Sequence, residues 1–286
     1  MKKIEVTLDR KSRGLIVITG CDSGVGKSLV FVLLQMGYTV IASYLDQNPF
    51  DNESNVYSRK MDLRKPEEVR SFCDYAKEIC NRGEKLEAVF ANAGVALGGS
   101  IENLPMDIFR ECFEINFFGV VETIQALIPE LIRDQGKIIV HGSMAGRIAL
   151  PFLSPYASTK YALEGFCDSL RRELNPFGVK TILLESAAIA TPIWNKAKVQ
   201  DISFVHKKYL KSLHRFRDTF IEGGNAGMDM EHAALMIADL LNIKNPKSRY
   251  IIAKNRIGSK LLILIPSFIL DKAVVKMYAM DYGDNV

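Results

Sequence analysis

The stretch from residue 15 to residue 44 constrains this chain more than any other. Residues 15–19, Leu-Ile-Val-Ile-Thr, form an unbroken apolar run. A strand with one wet face would alternate, so a continuous run reads as a strand covered on both faces. It gives way to Gly20-Cys21-Asp22-Ser23-Gly24-Val25-Gly26, and then to an apolar helical pattern over residues 25–36 that closes at Gly37. Glycine after a helix supplies the left-handed turn that ends it. A second strand is expected over residues 38–43. Strand, glycine-rich turn, helix and strand make a nucleotide-binding βαβ unit, in which glycines let backbone N–H groups approach a pyrophosphate and the helix start adds positive potential.

A rival reading shares these residues. Gly26-Lys27-Ser28 ends like the phosphate loop of NTPases, G-x-x-x-x-G-K-[ST], although Cys21 stands where its first glycine belongs. On that reading Lys27 meets phosphate; otherwise it is a solvated side chain on the first helical turn.

The rest of the chain repeats the alternation. Strands are expected near 55–61, 86–91, 137–142, 179–185 and 248–253, with helices over 66–81, 106–133, 156–174 and 231–242. This spacing predicts an α/β fold, one Rossmann-type doubly wound parallel sheet of seven strands with helices on both faces. With 286 residues and nothing resembling a linker or repeat, residues 1–286 read as a single domain, with its core over 13–253.

Ser143, Tyr156 and Lys160 form the chemical pattern. Tyrosine and lysine at i and i+4 share a helix face, which sets an ammonium beside a phenol. A phenol titrates near pH ~10, and a fixed positive charge favours its ionised form. A phenol tuned in this way can pass a proton to or from an alcohol oxygen, with Ser143 holding that oxygen. The pair alone recurs by chance, as a half-buried tyrosine beside a solvated lysine. Ala91-Asn92-Ala93-Gly94, ending the apolar run from Leu86, adds a small-residue cluster at a strand edge where a ligand can come close. Taken by itself it reads sooner as a plain turn.

In order and spacing these motifs resemble the classical short-chain dehydrogenase/reductase family. Thr19-Gly20-Cys21-Asp22-Ser23-Gly24-Val25-Gly26 is similar to its glycine motif, and Ser143, Tyr156 and Lys160 to its catalytic set. The Thr-Gly-Cys-Asp-Ser-Gly wording is similar to the retinol- and hydroxysteroid-dehydrogenase branch. The resemblance implies hydride transfer between a nicotinamide cofactor and a lipophilic secondary alcohol or ketone, retinoid-, steroid- or acyl-like, with tyrosine as general acid/base. It implies a role for Asn116 in a proton relay through water. It implies cofactor contacts from Gly20, Asp22, Ser23, Gly24, Val25, Gly26, Asp62, Asn92, Ala93, Gly94, Tyr156, Lys160 and Thr191. It further implies a homo-oligomer, dimer or tetramer, formed through helices 106–133 and 156–174. A non-catalytic dinucleotide sensor or scaffold with the same fold is the alternative. The chain departs from the family at Ser186-Ala187, where Pro-Gly is usual.

The cofactor can be NAD or NADP. Tyr44 stands where NAD enzymes usually carry an acid at the end of the second strand, with Asp46 two residues on. Ser23 and Leu45 occupy the places where NADP enzymes usually carry a base. The reading leans to NAD, with Asp46 either a ribose ligand or an ordinary loop acid.

Composition closes other routes. A net charge of +4 is too small to argue for nucleic acid, and the four histidines show no metal-ligand pattern. His141 reads as a packed core residue. Five scattered cysteines without CxxC, and no signal peptide, suggest a reduced, cytoplasmic chain. The resemblance implies a substrate lid at residues 193–227; this stretch is greasy through Trp194, Phe216 and Phe220, with lysines and arginines on a solvated face and a hinge expected at Gly223-Gly224 and Gly227. The extension 254–286 contains an apolar segment, 261–270, too short to span a bilayer and broken by Pro266. It is expected to pack on the domain or a partner subunit, with a peripheral membrane contact as the second reading.

Overall fold

The computed structural model describes residues 12–280. Seven parallel strands form one sheet in the order β3-β2-β1-β4-β5-β6-β7. They are β1 (Leu15–Ile18), β2 (Thr39–Tyr44), β3 (Val56–Lys60), β4 (Leu86–Ala91), β5 (Lys137–His141), β6 (Lys180–Ser186) and β7 (Arg249–Ile252). Each agrees with its sequence expectation to within a residue or two. Central strands read as solid apolar runs because both their faces are covered: all of β1 is buried.

Helices α1 (Gly24–Gln35) and α8 (Met230–Ala238) cover one face of the sheet, packing against each other. The other face carries α2 (Pro66–Cys80), α3 (Met106–Phe113), α4 (Gly119–Asp134) and α5 (Ser154–Leu174). The continuous run Met106–Asp134 is long and apolar enough to cross a membrane by composition. Here α4 packs on α2 and β4, and Ile124, Leu127 and Leu131 are fully buried in that core. Between α3 and α4 the chain widens into a π-helical turn, Glu114–Phe118. Such turns interrupt the regular backbone ladder and are frequent at functional sites.

The strand order reverses between β1 and β4, so their carboxyl ends part and leave a crevice. A third cluster lies beyond the sheet. Helices α6 (Ile193–Val199) and α7 (Lys207–Asn225) fold over the crevice, and α9 (Arg256–Leu262) and α10 (Ser267–Met277) follow β7. Phe152, Leu213, Phe216 and Tyr278 hold this cluster together.

Two expectations need correction. α7 runs unbroken through Gly223 and Gly224. A Cβ on Gly224 would lie 2.2 Å from the Trp194 ring, and one on Gly227 would lie 2.5 Å from the Ala188 backbone. Gly224 and Gly227 therefore admit close packing and are not a hinge. Nor does the segment after β7 bury its apolar side on its own domain: Leu261, Leu264 and Phe268 are 60%, 71% and 62% exposed. Pro266 does break the helix, ending up as the residue before α10.

Candidate active site

At the switch point a cleft of about 640 Å³ runs from the glycine loop to the lid. Its upper wall starts with Gly20, which adopts a left-handed backbone at φ +71° and lies against Ala93, where a Cβ would come within 2.7 Å. Gly26 is tighter still: a Cβ there would sit 2.3 Å from the Gly20 carbonyl oxygen and 2.5 Å from Asn92 Nδ2. Both glycines let the loop press on the end of β4. Ser23 precedes α1 without a side-chain cap, so the first-turn N–H groups beside Gly24 and Val25 open on the cleft. A Cβ on Gly24 would reach only Thr191, at 3.6 Å, across the gap. This cradle of free N–H groups and small residues fits a pyrophosphate. Lys27 is not among the cleft-lining residues, which removes the phosphate-loop reading.

Asn92 locks the loop in place. Its Nδ2 donates to the Thr19 and Gly20 carbonyl oxygens at 3.0 and 3.1 Å, and its backbone N–H to Thr19 Oγ1. Ala93 N–H also donates to Thr19 Oγ1, and Gly94 lines the cleft close to Asn116, where a Cβ would meet Oδ1 at 3.1 Å, with Lys160 Nζ at 3.8 Å. Asp22 lines the cleft, but its carboxylate accepts the Leu45 and Asp46 N–H groups at 2.8 Å each. Those N–H groups emerge past β2 with no strand partner, so Asp22 secures the loop rather than offering a free acceptor. Asp46 is exposed at the rim. Asp62 is buried and gripped by Arg64 through Nε and Nη2 at 2.9 and 2.7 Å, which holds its carboxyl below the usual range.

Ser143, Tyr156 and Lys160 meet in the middle of the cleft. Ser143 follows β5, and its Oγ accepts the Ala145 N–H at 3.1 Å. Tyr156 and Lys160 lie on α5 with the Lys160 Nζ 5.6 Å from the centre of the phenol ring. Lys160 is buried and donates to the His141 carbonyl at 2.7 Å; burial pulls its pKa down to about 8. The sequence expectation that the ammonium depresses the phenol is not met in this cleft. Burial pushes the Tyr156 phenol up, with the Ser143 hydrogen bond pulling the other way.

Asn116 sits fully buried in the π-helical turn. Its Oδ1 accepts the Val95 N–H at 2.8 Å, and its Nδ2 donates to the Val95 carbonyl and Thr159 Oγ1. The side chain is thus committed to bracing the loop after β4.

His141 is the residue that sequence reasoning undervalued. It is not simply packed: Nδ1 meets Asn92 Oδ1 at 3.0 Å and Nε2 meets Ser186 Oγ at 2.9 Å. Asn92 spends its amide hydrogens on Thr19 and Gly20, so its oxygen must accept. Nδ1 is then the protonated nitrogen, and Nε2 accepts from Ser186. Burial, and next the Lys160 charge, push the His141 pKa down to about 3 and keep the ring neutral. The chain thus ties the ends of β4, β5 and β6 with one imidazole, and Ser186 in place of proline supplies the hydroxyl.

The lid side is apolar. Trp194 Nε1 donates to the Ile189 carbonyl at 2.6 Å and its ring packs edge-on against Phe220, 4.9 Å between centres. Leu153, Phe220 and Tyr278 line the cleft. Most lid cations face solvent, Lys208 pairing with Glu102 at 2.9 Å. All five cysteines are free and buried.

The chain matches the short chain dehydrogenase family over residues 14–201. It is 31% identical over 272 residues to the NADPH-dependent 3-dehydrocapnine reductase of Ornithobacterium rhinotracheale, covering 91% of this chain and 95% of that one. It is 34% identical over 241 residues to estradiol 17-beta-dehydrogenase 2 of Mus musculus, covering 81% of this chain and 61% of that one. A short chain dehydrogenase/reductase from Burkholderia phymatum, solved in complex with NAD, has the same fold: TM-score 0.76 at 18% identity, over 92% and 95% of the two chains. The seven-stranded doubly wound sheet and the matched sequence agree, and the chain belongs to the short-chain dehydrogenase family of oxidoreductases.

Proposed function

We propose that this chain is an NAD(P)-dependent alcohol dehydrogenase or carbonyl reductase for a lipophilic secondary alcohol or ketone. The observation that carries this is the meeting of Ser143, Tyr156 and Lys160 between an open helix start and an aromatic lid. The dinucleotide, when bound, supplies the hydride acceptor or donor. The N–H groups at Ser23 to Gly26 would receive its pyrophosphate, and Asp62, Gly94, Lys160 and Thr191, which also line the cleft, would hold its adenine, its ribose and its carboxamide. The exposed Asp46, with Ser23 and Leu45 as its uncharged neighbours and Arg64 already paired to Asp62 and Glu111, supports NAD over NADP.

Ser143 Oγ and Tyr156 Oη hold the substrate oxygen. Tyr156 gives its proton to that oxygen in reduction, or takes it in oxidation. Burial raises the Tyr156 phenol and the Ser143 hydrogen bond opposes that rise, so the phenol enters the cycle protonated and can serve as donor to a carbonyl oxygen. Lys160, held near a pKa of 8, can release and regain a proton close to neutrality, and the backbone at Asn116 offers a path to solvent through water. Phe118 on the π-helical turn and Tyr161 on α5, both nearly half exposed, support association of two copies through this face.

Fluorescence titration with NADH and NADPH, followed by a panel of lipophilic ketones, tests the reading. We expect tighter binding of NADH and ketone-dependent oxidation of it. Dinucleotide binding with no turnover of any ketone or secondary alcohol favours the sensor instead.

A further inference from the structure

We propose that the helical pair α9–α10 docks on a membrane surface carrying anionic headgroups, at the mouth of the cleft. The pair is pinned at both ends. Asn255 caps α9 through the Gly258 N–H at 2.8 Å, and Ser212 Oγ donates to the Ala279 carbonyl at 2.8 Å beyond α10. Tyr278 is 4% exposed and packs edge-on against Phe216. Between the pins the apolar residues turn outward. Ile257 is 76% exposed and Ile269 47% exposed, and Leu261, Leu264, Ile265 and Phe268 fill the interval at spacings of one to four residues. A soluble surface scatters such side chains singly; a contiguous group marks an interaction site.

Charge selects the occupant. Arg256, Lys260, Lys272 and Lys276 are all exposed around this group, and Asp271 is the only acid from residue 255 to residue 277. Among the described residues none of these four cations forms an ion pair within 4.0 Å. A second copy meeting the patch about a two-fold axis would bring the same cations face to face. Anionic headgroups neutralise them while the apolar side chains enter the acyl boundary. The hairpin is shallow by construction, because Pro266 splits it into helices too short to span.

The patch reaches the cleft directly. Leu262, adjacent in the chain to the exposed Leu261, is 41% exposed and lines the cleft, as does Tyr278. A lipophilic substrate dissolved in the bilayer would therefore enter past Leu262 without crossing water. This route rests on the function proposed above; the docking itself does not.

The test is co-sedimentation of the full chain with vesicles of phosphatidylcholine alone and of phosphatidylcholine mixed with phosphatidylserine. Binding is expected to the mixed vesicles and to weaken with salt. Exchange of Lys260→Ala together with Lys272→Ala should lower that binding on the order of tenfold or more. Leu264→Ser with Phe268→Ser should abolish it. Both pairs should keep the wild-type thermal midpoint and NADH affinity, which separates lost docking from lost folding. The proposal is overturned if the wild type stays in the supernatant with both vesicle types. It is equally overturned if the serine variants dissociate an oligomer in sedimentation velocity while vesicle binding is unchanged. Docking without any ketone turnover would leave it standing and sink only the catalytic reading.

Discussion

Along the sheet edge, Gly20, Asn92, His141 and Ser186 wall the cleft through directional contacts. Asn92 alone bonds Thr19, Gly20 and His141. Across the cleft, Trp194, Phe220, Phe216 and Tyr278 form the lid largely through ring contacts. The first wall is held by directional hydrogen bonds, which suit a cofactor with many polar groups. The second is built from ring contacts, which carry no fixed hydrogen-bond directions and suit the lipophilic substrate proposed above.

The largest expected blow to this contrast falls on the hydrogen-bonded side. Gly26→Ala drives a methyl into the Gly20 carbonyl and the Asn92 amide, both closer than 3.0 Å to its Cβ. Overpacking of this kind costs about 1–3 kcal/mol. Urea unfolding should register that loss, with NADH affinity falling in parallel; wild-type values for both would mean the loop yields freely.

A second prediction concerns acid. His141 stays neutral in the folded chain down to about pH 3, against an ordinary value of 6.5. The unfolded chain therefore binds a proton between these values that the folded chain refuses, and stability falls as pH drops through that window. The slope contributed is about 1.4 kcal/mol per pH unit. His141→Gln should lack this component, so the wild type should lose stability more steeply than the variant below pH 6. Parallel curves would contradict the buried neutral imidazole.

The smallest effect is expected on the lid side. Trp194→Ala removes the edge-on contact with Phe220, of which the ring pairing alone is about 1 kcal/mol, together with the packing on Gly224 and the hydrogen bond to the Ile189 carbonyl. KM for a lipophilic ketone should rise several-fold with NADH affinity unchanged. A change in NADH affinity as large as that in KM would erase the distinction between the two walls.

The same contrast explains what the sequence made legible. All seven strands could be read because each central one is a local apolar run whose partners lie on both faces. The glycine loop and the Ser143, Tyr156 and Lys160 set were legible because their spacing is local. The His141–Ser186 contact joins residues 45 apart, so its one local trace was a serine in place of proline. Asp22 lines the cleft, and its hold on the Leu45 and Asp46 N–H groups was not legible because nothing in sequence announces that the chain past β2 lacks a partner for them. Gly224 was misread for a related reason: the Trp194 ring that demands it lies on another helix. The turn outward of residues 257–269 was hidden too, since an apolar run looks alike whether it is buried or offered to a surface.

Transfer of deuterium tests the central claim most directly. With NADH carrying deuterium at the transferable position of C4 and a ketone that the protein reduces, the wild type should place the label on the carbinol carbon. Tyr156→Phe should bind NADH normally and slow that transfer by about 10²–10⁴-fold. Transfer at the wild-type rate in Tyr156→Phe would contradict the assignment of this phenol as the proton donor.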